Sequence, residues 1–262
     1  MYENEATSNS QALVIFLLDI SGTMGKPMGG HTRMKVVQQA LKMTVTEMVQ
    51  RSLKSERIQP RYRVGMIGYS DDVYDILNGI KPIDEVAKQG VPQLEPLNRT
   101  DFTKGLKYTK NILEKELKSI TDNCPAPLII HMTDGEFTSK EDPEPILREI
   151  QNMEVADGKV LVANLFVSDE LKVSIENAAT WPGYKAGDEI GSSYGNRLLS
   201  FSSPLPETYR EVMLELGYSI EPEAAMMYPG IKPEFVQMAF VMSTVSGGFS
   251  AIDTDSIIWE DD

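Results

Sequence analysis

The sequence has few of the residues that build disulfides and histidine-based active sites. It contains one cysteine, Cys124, and two histidines, His31 and His131. A single cysteine cannot form an intramolecular disulfide, which fits a reducing compartment, and we interpret Cys124 as a small structural residue. We expect His31 to be an exposed loop residue and His131, inside an apolar run, to be a hydrogen-bonded core residue. No serine or cysteine nucleophile is predicted beside either histidine, so a hydrolytic triad is unsupported.

Positive charge and long apolar runs are also scarce. Lys and Arg total 25 against 39 Asp and Glu, a net charge of −14. Nucleic-acid backbones and anionic membrane surfaces both require a basic face, so we predict neither as a partner. The first apolar run is too short to cross a membrane and ends at Asp19 rather than at a small-residue cleavage site. These absences predict a cytoplasmic protein.

The most informative stretch that is present runs from Val14 to Met24. Its five apolar residues, 14–18, predict a strand that is buried on both faces. The run stops at Asp19, and Ser21 and Thr23 follow at once, so that a carboxylate and two hydroxyls share one turn. These oxygen ligands suit a hard cation such as Mg²⁺. We expect Gly22 to supply the backbone freedom that the turn needs.

Strand and helix signals alternate along the remaining chain. Apolar runs predict strands over 61–69, 73–77, 128–132, 159–167 and 197–203. Helical spacing predicts helices over 32–54, 101–117, 141–153, 169–180, 206–216 and 233–245, and 78–99 is expected to be mostly loop. The alternation predicts an α/β fold, a doubly wound and mostly parallel central sheet with helices on both faces. We divide the chain into a flexible leader (1–10), one domain (11–220) and a C-terminal extension with one helix, packed on the same domain (221–262).

Two predicted strands end in aspartate-containing turns, at Asp19 and at Asp134. Ligands of parallel sheets gather beyond the carboxyl ends of the strands. The candidate ligands are therefore expected to converge at one edge of the sheet.

The segment D-I-S-G-T-M, residues 19–24, resembles the D-x-S-x-S/T signature of the metal-ion-dependent adhesion site of von Willebrand factor A domains. In that family a second loop adds a threonine and a third loop adds an aspartate. Here N-R-T-D-F-T-K-G-L, residues 98–106, resembles the second loop, with Thr100 as the best match and Thr103 as the alternative. M-T-D-G, residues 132–135, resembles the third loop and makes Asp134 its aspartate. Asn98 and Arg99 depart from the family by replacing a frequent pair of glycines.

The resemblance implies a divalent cation, with Mg²⁺ first and Ca²⁺ or Mn²⁺ as alternatives, at five residues: Asp19, Ser21, Thr23, Thr100 and Asp134. It implies one coordination position for an Asp or Glu of a protein partner, and no catalysis. The chain resembles bacterial intracellular members of this family, such as the tellurium-resistance-associated group. In that group, such domains are thought to act in stress response or assembly beside ATPases, kinases or phosphatases.

Two alternatives remain open at this point. The turn is also close to the D-x-D-G-T motif of haloacid-dehalogenase phosphatases, with Asp19 as the nucleophile, although Ser21 stands where the second carboxylate is needed. The other alternative is a scaffold in which the metal is purely structural and the partner docks elsewhere.

Overall fold

The fold is built on a seven-stranded sheet that is mostly parallel. The structure, a computed structural model, describes residues 2–137, 139–169, 171, 177–230, 235 and 238–239. The strands are β1 (Ala12–Asp19), β2 (Tyr62–Tyr69), β3 (Val73–Asp75), β4 (Lys81–Pro82), β5 (Leu128–Thr133), β6 (Leu161–Phe166) and β7 (Met227–Pro229). Their order is β7-β6-β5-β1-β2-β3, and β4 pairs with β2. Pairs among β1, β2, β5, β6 and β7 are parallel, whereas β3 and β4 run antiparallel to β2.

The helices connect and cover these strands. They are α1 (Arg33–Ser52), α2 (Ile83–Gln89), α3 (Phe102–Glu116), α4 (Glu144–Gln151), α5 (Ser193–Phe201) and α6 (Glu207–Glu215). Short two-residue strands form hairpins at 27–32, 53–58 and 154–159. Thr32 caps α1 by accepting a hydrogen bond from the Lys35 N–H, and Asp101 caps α3 in the same way through the Lys104 N–H.

The alternation of side chains along β1 creates two cores, one on each face of the sheet. Val14, Phe16 and Leu18 pack in the core that includes α1 and α5, whereas Leu13 and Ile15 pack in the core that includes α3 and α4. Every residue of β1 is buried, because the strand is central and covered on both sides. This confirms the predicted α/β class with helices on both faces.

His131 lies in the middle of β5 and links three elements. Its Nε2 lies 2.7 Å from the Tyr69 hydroxyl and its Nδ1 lies 2.8 Å from the Asn164 side-chain oxygen. Its ring stacks on Phe102 at a centroid distance of 4.4 Å. The prediction of a hydrogen-bonded core histidine is confirmed.

One secondary-structure prediction is wrong, and a second missed two short elements. The segment 197–203, predicted as a strand, belongs largely to helix α5. Its apolar residues Leu198, Leu199 and Phe201 are buried against the sheet, so tertiary packing decides between two states that a short apolar segment leaves ambiguous. The segment 78–99, predicted as mostly loop, contains the short strand β4 and the helix α2, which buries Ile83 and Val86.

Both ends of the described chain contact the fold. The backbone N–H groups of Glu3 and Asn4 donate to Asp157 Oδ1, and the ring of Tyr2 packs edge-on against Tyr209. Strand β7, inside the predicted extension, pairs in parallel with β6. The division into leader, domain and extension stays a prediction. Half of the predicted helix 169–180 and most of the predicted helix 233–245 lie outside the described residues.

Candidate metal centre

The first loop, residues 19–23, follows directly from the carboxyl end of β1. Asp19 is fully buried, and its Oδ1 accepts a hydrogen bond of 2.9 Å from the Ser21 N–H. The Ser21 and Thr23 hydroxyl oxygens lie 3.0 Å apart. The turn therefore brings one carboxylate and two hydroxyls together.

The third loop, residues 133–137, lies beside the first because β5 is the parallel neighbour of β1. The Thr133 hydroxyl donates to Asp19 Oδ2 over 2.7 Å, and its oxygen accepts from the Gly135 N–H. Asp134 is 2% exposed, and its Oδ1 accepts from the Glu136 N–H. The two predicted carboxylate ligands consequently lie at the same edge of the sheet, buried, and close enough that the charge of Asp134 raises the pKa of Asp19.

The second loop, residues 97–101, is held against the first loop by backbone hydrogen bonds. The Gly22 N–H donates to the Asn98 carbonyl and the Leu97 N–H donates to the Ile20 carbonyl. A Cβ at Gly22 would lie 2.9 Å from the Leu97 carbonyl oxygen and 3.0 Å from that of Asn98. Gly22 does not have a positive φ, so it is required for the close approach of this loop and not, as predicted, for backbone freedom.

The second loop also separates its two candidate threonines. Thr100 is buried and lines the cavity at the site. The Thr103 hydroxyl donates instead to the Glu141 carbonyl over 3.0 Å. This arrangement favours Thr100 over Thr103 as the residue that faces the first loop.

Asp19 is a buried carboxylate, and no cation is among the groups that shift its pKa. Burial raises its pKa to about 6, with a further increase from the nearby charge of Asp134. Hydrogen bonds from Ser21 and Thr133 oppose this increase without cancelling it. A bound cation would stabilise the ionised form, which is the form that ligates metals.

Asp134, in contrast, already has a cationic partner that the sequence analysis missed. Arg33 Nη1 lies 2.8 Å from Asp134 Oδ2, and the arginine side chain is buried. The same guanidinium contacts Glu136 and Asp169. One sequence signal could have revealed this partner. Arg33 is the first residue of helix α1, where the helix dipole favours acidic residues, so a basic residue at this position is unusual.

A cavity of about 460 Å³ opens beside the three loops and is lined by Thr23, Asn98, Arg99, Thr100, Glu136 and Tyr194. Tyr194 comes from the first turn of α5, beyond the three predicted loops. Among the described residues, none forms a hydrogen bond or an ion pair with Arg99, which is exposed. The wall of the cavity therefore carries an available guanidinium beside Thr100.

The donor set fits a hard cation that keeps part of its water shell. In the part of the chain that the structure describes, no group of three His, Cys, Asp or Glu side chains is placed to hold a metal. The predicted set instead combines two aspartates with hydroxyls of serine and threonine. Such a set is poor for soft metals and matches Mg²⁺, which takes one or two carboxylates and retains waters.

Residues 14–137 match the model of the von Willebrand factor type A domain. This matched segment contains all five predicted metal ligands and both Arg33 and Arg99. Strand β6, strand β7 and helices α4 to α6 lie beyond it. No match to this chain was found among curated proteins.

Solved structures resemble this chain at low sequence identity. The D319A mutant of the PilB minor pilin from Streptococcus sanguinis has 12% identity and a TM-score of 0.52, covering 91% of this chain and 62% of the pilin. An aerotolerance-related membrane protein from Bacteroides fragilis has 15% identity and a TM-score of 0.49, covering 89% of this chain and 98% of that one. Proximal thread matrix protein 1 from the mussel byssus, with a zinc-occupied MIDAS motif, has 19% identity and a TM-score of 0.44, covering 62% of this chain and 39% of that protein. The chain thus spans less than two thirds of the pilin and of the mussel protein.

Within the described part of the chain, no helix is both long enough and apolar enough to cross a membrane.

Proposed function

We propose that this protein is a metal-dependent protein-interaction module that binds an Asp or Glu of a partner through a divalent cation, with Mg²⁺ as the preferred ion. The observation that carries the proposal is the meeting of three loops at one sheet edge, inside the segment that matches a domain type known for protein interaction. The proposed ligands are Asp19, Ser21, Thr23, Thr100 and Asp134.

Four of the five proposed ligands have a role that their contacts support. The Ser21 and Thr23 hydroxyls, 3.0 Å apart, present neutral oxygens. Asp19 presents a buried carboxylate oriented by the Ser21 N–H and the Thr133 hydroxyl. When bound, the cation supplies an electrophilic centre that accepts a further oxygen ligand. Asp134, held by Arg33, acts directly or through water.

The charge on the cavity wall suits an acidic partner. Asp19 and Asp134 together neutralise a divalent cation, so an incoming carboxylate adds an uncompensated negative charge. Arg99, exposed beside Thr100 and without a partner among the described residues, can provide the compensating positive charge. A guanidinium pairs with a carboxylate through two parallel hydrogen bonds. Arg99, which departs from the family pattern, thus supports carboxylate binding here.

The proposed setting is a bacterial cytoplasm, in a stress-response or assembly complex such as those of the tellurium-resistance-associated group. The single cysteine and the acidic composition agree with an intracellular protein that binds neither nucleic acid nor membrane. An associated ATPase, kinase or phosphatase is the proposed kind of complex member.

The experiment has two stages that use the full chain. Calorimetric titration with Mg²⁺, Mn²⁺ and Ca²⁺ measures metal binding for the wild type, for Asp19→Ala and for Asp122→Ala, a control that removes an exposed carboxylate. Affinity capture of partners from cells that produce the protein, in Mg²⁺ or in EDTA, measures metal-dependent association with the same three proteins.

We expect Asp19→Ala to lose both metal binding and capture while keeping the folded circular dichroism spectrum, and Asp122→Ala to keep both. Arg99→Ala is expected to keep metal binding and to weaken capture. A complex that forms equally well in EDTA and with Asp19→Ala would show that the partner docks elsewhere, as in the scaffold hypothesis.

A further inference from the structure

Arg33 is a buried cation in direct contact with a proposed metal ligand. It is 5% exposed, and its Nη1 contacts Asp134 Oδ2 at 2.8 Å and Glu136 Oε1 at 3.1 Å. Its Nη2 lies 3.3 Å from Asp169 Oδ1. Its Nε is buried without a hydrogen-bond partner. Three carboxylates therefore surround a single guanidinium whose hydrogen bonding is still incomplete.

The position of Arg33 is unfavourable for helix α1. Thr32 is the N-cap, so Arg33 occupies the first helical position, and the first turn contains no acidic residue. The helix dipole places partial positive charge there, which disfavours a cation. Burial adds a desolvation cost that only well-placed carboxylates can offset. The contact with Asp134 and its neighbours, rather than helix stability, accounts for the arginine.

The charges around the site do not balance without a divalent ion. Arg33 and Lys26 contact three carboxylates (Asp134, Glu136 and Asp169), and Lys26 binds only Glu136 among them. The fourth carboxylate of the set, Asp19, lies close to Asp134 and contacts neither cation. With all groups ionised, the set has a net charge of −2. One divalent cation neutralises it. Arg33 already neutralises part of the negative charge of these carboxylates.

We propose that Arg33 is a resident cation that competes with the divalent metal for Asp134 and thereby sets the affinity of the site. This inference rests on the proposed function, because it concerns the same site. The guanidinium reduces the negative potential of Asp134 and occupies one of its oxygens. A metal that uses Asp134 must share that carboxylate with Arg33 or displace the guanidinium toward Glu136 and Asp169. Arg33 is therefore an affinity-determining residue that acts through Asp134.

The test measures binding of Mg²⁺ alone, by calorimetry, and of Mn²⁺ alone, by electron paramagnetic resonance, at fixed pH and ionic strength. We expect Arg33→Gln to bind both ions about tenfold more tightly, since one positive charge is removed from contact with a ligand carboxylate. Lys26→Gln is the matched control: it removes the same charge from the neighbouring Glu136 without touching Asp134. Its affinity should change less than threefold.

A purely structural role for Arg33 predicts the opposite sign, because a disturbed Asp134 binds metal more weakly. Thermal unfolding adds a second readout: Arg33→Gln should unfold at lower temperature than the wild type in EDTA and gain more from Mg²⁺. If Arg33→Gln does not fold, Arg33→Lys decides, since its ammonium keeps the charge but cannot bind all three carboxylates as the guanidinium does. If Arg33→Lys binds Mg²⁺ about threefold more tightly than the wild type, the inference is supported.

The outcomes separate the inference from the proposed function. Unchanged or weaker binding by folded Arg33 variants, with a wild type that binds metal, overturns the inference alone. An effect of Lys26→Gln equal to that of Arg33→Gln also overturns it, because net charge would then suffice. Binding by Arg33→Gln but not by the wild type would support the competition and contradict the proposed function of the wild-type protein. If no variant and no wild type binds either ion, the proposed function itself fails.

Discussion

Asp19 and Asp134 are both buried aspartates at the ends of neighbouring parallel strands, yet their surroundings differ. Asp19 receives hydrogen bonds from the Ser21 N–H and the Thr133 hydroxyl, and its pKa is raised to about 6. Asp134 has the guanidinium of Arg33 at 2.8 Å. The comparison shows that the edge of the sheet determines where the two carboxylates lie, whereas the neighbouring side chains determine whether each carboxylate already has a cationic partner.

The largest expected effect is on stability at Asp134. In metal-free protein, Asp134→Asn should lower the free energy of unfolding by about 3 kcal/mol, because it leaves the buried Arg33 with incomplete compensation. Urea denaturation in EDTA measures this change. Asp142→Asn, which breaks an exposed pair with Arg197, is the control and should cost less than about 1 kcal/mol. Equal costs at the two positions would contradict a structural role for the Arg33 pair.

The second prediction uses pH to expose the uncompensated charge of Asp19. Burial raises the pKa of Asp19 to about 6, so the folded state binds more protons than the unfolded state between roughly pH 4 and 6, and acidification stabilises the metal-free fold. Burial lowers the pKa of His131 to about 4, so the unfolded state binds more protons between that value and about 6.5, and acidification destabilises the fold. The two effects oppose each other in the wild type.

Asp19→Asn removes only the stabilising effect. Between pH 7 and 4.5 in EDTA, it should therefore lose about 2 kcal/mol more of its free energy of unfolding than the wild type loses. Denaturant titrations at both pH values measure the difference. Parallel losses in the two proteins would mean that the buried carboxylate of Asp19 has no raised pKa.

The third prediction concerns metal affinity. Because a carboxylate must be ionised to ligate, protonation of Asp19 should weaken Mg²⁺ binding about tenfold for each pH unit below 6. Calorimetric titrations at pH 7.5, 6 and 5 measure this dependence. A flat profile over that range would indicate that Asp19 does not contact or orient the ion.

The smallest expected effect concerns the second loop, which is held against the first loop, where Asp19 lies. Gly22→Ala places a Cβ against the Leu97 and Asn98 carbonyls and should cost about 1 kcal/mol while displacing Thr100. Gly25→Ala meets only the Pro96 side chain at ordinary contact distance and is the control. Weaker Mg²⁺ binding in Gly22→Ala alone is expected, with Asp134 and Arg33 undisturbed. Equal effects of both substitutions would place the second loop outside the site.

Much of the fold was predictable because its strands are continuous apolar runs that end in polar turns. The run 14–18 identified β1, the segments at 61–69 and 128–132 identified its two neighbours, and the segment at 159–167 identified the next strand, β6. Helix α5 was predicted wrongly because its short apolar segment has no clear period. That error also hid Tyr194, which lines the cavity from the first turn of α5.

The sequence by itself determined the α/β class and placed two aspartate-containing turns at strand ends, and local patterns suffice for this, because parallel strands bring their carboxyl ends to one edge. The set of five candidate ligands came from the resemblance of three loops to the von Willebrand factor A family, and it stays a prediction. Only the tertiary structure placed Arg33, one hundred and one positions from Asp134 in the sequence, against that carboxylate. Pairing across such a distance depends on where the first turn of α1 lies relative to the turn that follows β5, which no local pattern records.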